Sequence, residues 1–165
     1  MIEDEKLQRR RLKAWIRLLR ATRATENHLR EFLRTHHDTT LPRFDVAAAL
    51  HRQAKPMKMS ELGKLLLVSN GNVTAVVERM EKDGLTVRSK SPDDRRSVLV
   101  SLTDEGRQKF EEMARAHEAE VNILFGKFDD DDLDLVRDLL CKVESKRQSD
   151  TDTDLQASGS GARVV

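Results

Sequence analysis

The chain has 165 residues, a length that suits one domain with a real core and flanking arms. Charged residues make up 36% and aromatics only 4%, a balance that favours helices with charged outer faces and argues against a β-sandwich. The formal net charge of +1 excludes a basic polyelectrolyte. No apolar run nears the roughly 20 residues of a membrane span, and MIEDEKLQRRR holds no apolar stretch of signal-peptide type, so a cytoplasmic protein with no membrane partner is expected.

Taken in chain order, residues 6–36 read as one long helix, with Leu12, Trp15, Ile16, Leu19, Leu29, Phe32 and Leu33 recurring at spacings of three and four. Asp38 to Pro42 breaks the chain. A second helix then begins with Thr40 or Leu41 at its cap and Pro42 in its first turn, and runs to about Gln53. A short helix from Ser60 to Leu67 follows, with Ser60 as its cap, Glu61 at the positive end of its dipole, and Leu62, Leu65 and Leu66 buried. Ser69 caps the next helix, which turns Val73, Val76, Val77 and Met80 inward and leaves Asn72, Thr74 and Ala75 on or near the other face.

Gly84 can take a left-handed conformation and stop that helix. Strands are expected over Leu85 to Lys90 and Ser97 to Leu102, around the turn residues Pro92, Asp93 and Asp94. Thr103, Asp104 and Glu105 start another helix with Phe110, Met113, His117, Val121, Leu124 and Phe125 down one side. Gly126 and Asp129 to Asp132 interrupt it, a last helix covers roughly 130–146, and the polar tail from Gln148 is expected to be disordered. The domain plan is a dimerisation helix at 1–40, a DNA-binding lobe at 41–102, dimerisation helices at 103–147 and a tail at 148–165.

Helix, turn, helix and hairpin in that order make a winged helix-turn-helix: mainly α, with a small β-hairpin wing. In such a fold the second helix enters the major groove and a cationic hairpin reaches the backbone or the minor groove. Ser69, Asn70, Asn72 and Thr74 are the candidate contacts of the helix, against the simpler reading that Ser69 or Asn70 only caps it. Arg95 and Arg96 are the candidates at the wing tip, and Arg88 and Lys90 are placed to touch phosphates or to be solvated. Arg9, Arg10, Arg11, Lys13, Arg17, Arg20 and Arg23 crowd the first helix. A local cationic face suffices for nucleic acid, so near-neutrality is no objection.

The single cysteine, Cys141, rules out an intrachain disulfide, and its helical surroundings read it as a small half-buried residue. His28, His36, His37, His51 and His117 have no tight metal-ligand spacing, and there is no Gly-rich phosphate loop or Gly-x-Ser-x-Gly. No metal, cofactor or catalytic residue is expected, although an enzyme on an aromatic substrate and a protein-interaction winged helix stand as alternatives.

Asp94-x-Arg96 followed after five residues by Leu102-Thr103, together with Asp83-Gly84-Leu85, resembles the MarR family of bacterial transcriptional regulators over about residues 10–146. The resemblance implies a homodimeric, ligand-responsive repressor on a pseudo-palindromic double-stranded operator, with Asp94 orienting the wing and Arg96 in the minor groove. Two recognition helices on a twofold dimer would sit about 34 Å apart, one turn of DNA. It also implies an effector cleft between the dimer helices and the DNA-binding lobe. Trp15, Leu19, Phe44, Phe110, Met113 and His117 are candidates to line it, against an ordinary core role for each. Arg11, Arg20, Arg23 and Arg43 are candidates to meet an acid, against surface pairing. The strings Leu41-Pro42-Arg43-Phe44-Asp45 and Val68 to Thr74 resemble a branch that regulates aromatic-acid catabolism, which implies an aromatic carboxylate or aryl-CoA thioester as effector.

Overall fold

The computed structural model describes residues 2–91 and 97–143. Asp94, Arg95, Arg96 and the tail at 148–165 lie outside the described residues, as does the side chain of Asn70. The chain divides into two compact units, Met1–Asn122 and Ile123–Val165. Among the described residues no helix is long and apolar enough to cross a membrane.

The long first helix is present as α1 (Ile2–His37). Only the C-terminal part of its apolar stripe is covered: Leu29 and Leu33 are buried, whereas Leu12, Trp15 and Leu18 are exposed. Asp38 ends the helix in the left-handed region at φ 45°, and the amide of Thr39 donates to the Leu33 carbonyl at 3.3 Å. Helix α2 (Leu41–Gln53) starts as expected, with Thr40 extended at its cap and Pro42 in the first turn. The Thr40 side chain makes no cap bond; its carbonyl accepts from Arg43 and Phe44 at 3.0 and 3.1 Å. Phe44, Val46, Ala47, Ala49 and Leu50 are all buried, so α2 forms the middle of the core.

Strand β1 (Met57–Lys58) is absent from the sequence reading, because two residues carry no alternation to detect. It pairs with β3 (Val98–Leu102) through Met57 and Val100 and adds a third strand to the wing sheet, in the order β1-β3-β2 with β2 at Thr86–Lys90. It also moves the next helix start. Lys58 already holds an extended cap conformation, its amide donates to Glu61 Oε2 at 3.4 Å, and α3 (Met59–Leu65) begins one residue before Ser60. Ser60 is therefore an exposed first-turn residue and not the cap. Leu62 and Gly63 are buried and Leu66 packs on the core, but Leu65 is 46% exposed. It borders an open groove with Pro56 and Lys64, which the link from α2 to β1 does not close.

The turn after α3 passes through Leu67 at φ 55° and is closed by the Val68 amide on the Gly63 carbonyl at 3.2 Å. Helix α4 (Asn70–Lys82) buries Val73, Val77 and Met80 and half-buries Val76, as its periodicity predicts. Gly84, at φ 73°, turns the chain out of the helix. Strands β2 (Thr86–Lys90) and β3 (Val98–Leu102) pair antiparallel from Thr86 opposite Leu102 to Lys90 opposite Val98. Val100 and Leu102 face the core; on β2 only Thr86 does, and its hydroxyl donates to the Val77 carbonyl at 3.3 Å.

Helix α5 (Asp104–Phe125) opens on the expected cap: Thr103 Oγ1 accepts from the Gly106 amide at 3.0 Å and donates to the Gly84 carbonyl at 2.6 Å. Gly106 is required here for space, since a Cβ at that position would stand 1.9 Å from the Leu85 carbonyl oxygen. In the second unit, Asp129 caps a helix over 130–143, its Oδ1 accepting from the Asp132 amide at 2.9 Å. Leu133, Val136, Leu139, Leu140 and Val143 are exposed on it, as is Cys141, which is thus not the half-buried residue its pattern suggested.

Gly106→Ala is expected to lower stability by about 1–3 kcal/mol, the usual cost of overpacking, because the obstructing atom is backbone and cannot swing away. A thermal melt showing an unchanged midpoint would contradict this close approach.

Candidate nucleic-acid interface

The exposed side of α4 meets the start of α3 and the wing strands along a shared groove. Ser69 sits at the cap with φ −63° and ψ 147°, and its Oγ accepts from the Asn72 amide at 3.4 Å. The capping role of Ser69 is therefore present, though the bond is long. Asn72 is exposed and Thr74 half-buried. Two residues apart on a helix, they lie about 200° from one another around its axis and occupy opposite flanks. Between those flanks the outward row is Gly71, Ala75 and Glu78. The small side chains at Gly71 and Ala75 leave the helix backbone open to close approach, a feature that sequence reasoning about polar residues did not pick out.

Thr74 faces a groove of about 360 Å³ shared with Lys58, Ser60, Arg88 and Ser97, where the start of α3, the side of α4 and the wing strands meet. Lys58 and Ser60 are additions to the candidate set. The signal for them was the β1 junction, which places a lysine and a hydroxyl next to α4. Arg88 is already engaged. Its Nε donates to Glu81 Oε2 at 2.7 Å, a second guanidinium nitrogen lies 2.6 Å from the same oxygen, and a third is 3.4 Å from Glu78. The hydrogen bond from Arg88 holds the Glu81 carboxyl below the usual range, and Glu81 also accepts from the Arg88 amide at 3.2 Å. Arg88 thus braces β2 against α4, and it reaches a phosphate only by giving up these partners. Lys90 is exposed at the far end of β2.

The ten residues put forward for an effector cleft fall into separate groups, with Arg43 and Met113 on one open groove. Arg11, Trp15, Arg20 and Arg23 are exposed and Leu19 half-buried on the N-terminal half of α1. Phe44, Phe110 and His117 instead pack on one another: the Phe44 ring lies 5.4 Å from Phe110 and is stacked on His117 at 4.5 Å, with Met113 packed against the same core. Their helical spacing reported core packing, because α2 and α5 are close enough to close the space between them. Burial holds the His117 pKa below its ordinary value. Arg43 pairs with Asp83, tying the start of α2 to the end of α4.

A separate cavity of about 410 Å³ lies between α1, α2, the α3–α4 turn and α4. Leu41, Pro42, Val46, Leu66, Val68, Val73, Ala75 and Val76 supply its apolar wall, while Glu26, Arg30, Asp45 and Asn72 supply its polar groups. None of the ten expected residues lines it. Among the described residues no group of three or more His, Cys, Asp or Glu side chains is placed to hold a metal ion.

Known proteins match this geometry. The MarR family model matches residues 40–98. YkoM of Bacillus subtilis, an uncharacterized HTH-type transcriptional regulator, is 34% identical over 88 residues, which cover 53% of this chain and 57% of that protein. The chain therefore spans little more than half of that relative. MhqR, an HTH-type transcriptional regulator of the same species, is 26% identical over 133 residues, covering 80% of this chain and 90% of that protein. Among solved structures, a mutant of E. coli MarR complexed with operator DNA superposes with a TM-score of 0.69 at 29% identity, covering 77% of this chain and 91% of that one.

His117 supplies a test of the packing around Phe44. Its folded-state pKa is depressed, so the unfolded chain takes up a proton first as pH falls below about 6.5, and stability is lost from there down to the folded pKa. His117→Phe should flatten that segment of the stability–pH curve. Parallel denaturation curves for the two proteins between pH 7.5 and 5 would show instead that the imidazole is not desolvated, the pH limits being set by the unperturbed value of about 6.5.

Proposed function

We propose that the chain, whose residues 40–98 match the MarR family model, is a regulator of that family: a homodimeric, sequence-specific DNA-binding transcriptional regulator, acting as a repressor whose hold on its operator is set by a small molecule. The observation that carries this reading is the construction of α4. One face is locked into the core by Val73, Val77 and Met80, and the opposite face offers small and polar residues beside a wing. That is what a helix needs to approach base edges without loosening its own scaffold.

Dimerisation is supported by apolar surface left uncovered in each unit. Leu12, Trp15 and Leu18 on α1, and Leu133, Val136, Leu139, Leu140 and Val143 on the helix over 130–143, are exposed in a single copy. A twofold pairing buries such surface and sets two recognition helices about one DNA turn, roughly 34 Å, apart. Repression follows the population-shift logic: a ligand that prefers a different separation of the two lobes lowers operator affinity, and a full switch needs about 5.5 kcal/mol of differential binding. An aromatic effector suits the apolar wall of the 410 Å³ cavity. A carboxylate or aryl-CoA head finds less support there, since Arg30, the one cation of the lining, is already bonded to Glu26 and Asn27.

A mobility-shift titration with duplex from the chain's own upstream region tests the reading. The protein is expected to retard that duplex ahead of a scrambled one, with affinity falling steeply as salt rises. Asn72→Ala and Thr74→Ala should each reduce discrimination between the two by about 1–3 kcal/mol. Arg95→Ala and Arg96→Ala should weaken binding and flatten its salt dependence. Equal retardation of both duplexes, insensitive to all four changes, would remove the proposal.

A further inference from the structure

The cavity beside α4 carries chemistry more specific than its size. Its ionisable groups all come from α1 and α2; the α3–α4 turn and α4 contribute apolar side chains and the Asn72 amide to the lining. The only cation, Arg30, is spent within its own helix: one guanidinium nitrogen donates to Asn27 Oδ1 at 2.7 Å and another pairs with Glu26. The Asp45 carboxylate has neither a hydrogen bond nor an ion pair among the described residues. Water still reaches its carboxylate, yet the protein packed around it, and the Glu26 carboxylate second, push its pKa above the ordinary aspartate value. An apolar cavity thus ends in one carboxylate with no counter-ion, next to another whose charge is already balanced. Such an arrangement costs stability in the empty protein and is relieved by a positive charge placed against Asp45.

We propose that this cavity is the effector site and that it selects an apolar, aromatic-sized molecule bearing one protonated amine, whose ammonium pairs with Asp45 while its body lies against Val68, Val73, Ala75 and Val76. A carboxylate ligand would add a second uncompensated negative charge beside Asp45 and Glu26, and like charges at that range repel. The amine instead completes the pairing. The body of the ligand touches the recognition helix itself, so occupancy bears directly on the segment that holds Asn72 and Thr74. This rests on the regulator reading for its consequence, but not for the binding event.

Three probes of matched size separate the possibilities: 2-phenylethylammonium, phenylacetate and neutral 2-phenylethanol, titrated calorimetrically into the full-length protein at neutral pH. The ammonium should bind at least tenfold more tightly than phenylacetate, with the alcohol between them. Asp45→Asn should erase the ammonium's advantage over the alcohol and leave the alcohol's affinity unchanged. Ala75→Phe, which fills the cavity from an exposed helix position, should abolish binding of all three in a protein whose circular dichroism is unaltered. Phenylacetate binding as well as the ammonium, an ammonium preference that survives Asp45→Asn, binding that survives Ala75→Phe, or no binding by any probe would each overturn the proposal. Operator retardation by ligand-free protein is read separately. If the duplex binds and no amine does, the cavity assignment falls and the regulator reading stands; if the amine binds selectively and no duplex is retarded, the reverse holds.

Discussion

Three elements of this protein meet at one short stretch of backbone, Gly84-Leu85. The Leu85 amide donates to the Met80 carbonyl at 2.8 Å, which closes the end of α4, and the Leu85 carbonyl accepts from the Thr103 amide at 3.1 Å, which closes the base of the wing. The Thr103 hydroxyl then bonds both the Gly84 carbonyl and the Gly106 amide, so the same atoms that finish the hairpin also start α5. The missing side chain at Gly106 allows α5 to lie directly on Leu85. Helix α4, the wing and α5 therefore share one hydrogen-bonded junction.

Around that junction, charge is used for bracing as much as for display. Arg88 holds β2 to α4 through Glu81 and Glu78, and Arg43 holds the start of α2 to the end of α4 through Asp83. Both arginines were plausible contacts for a phosphate or an acid when only their identity was known. In the fold they tie α2 and β2 to α4 instead. The cavity on the other flank of α4 sits where a ligand touches the helix opposite its junction with the wing.

Elements with strong local signals were legible without coordinates. The α1 stripe, Pro42 in the first turn of α2, the Ser69 and Thr103 caps, the Gly84 stop and the two wing strands all rest on interactions within a few residues of one another, so their residue types and spacing suffice. The core positions on α4 followed from a 3.6-residue period alone. The wing tip at Asp94 to Arg96, legible as turn and cation, falls outside the described residues, and its role rests on sequence.

What only the tertiary structure decided concerns distant partners. Strand β1 has no pattern of its own and exists because β3 offers a free edge at Val100, which in turn moved the α3 cap from Ser60 to Lys58. Phe44, Phe110 and His117 have the periodicity of either a pocket or a core, and only the packed fold shows their rings meeting across α2 and α5. The 410 Å³ cavity draws its lining from residues 26 to 76, and no local rule marks Asp45 as a carboxylate without a partner. Periodicity reports which face of an element avoids water; which other face meets it, and which charges find each other there, is set by chain segments far apart in sequence and becomes visible only when they are packed.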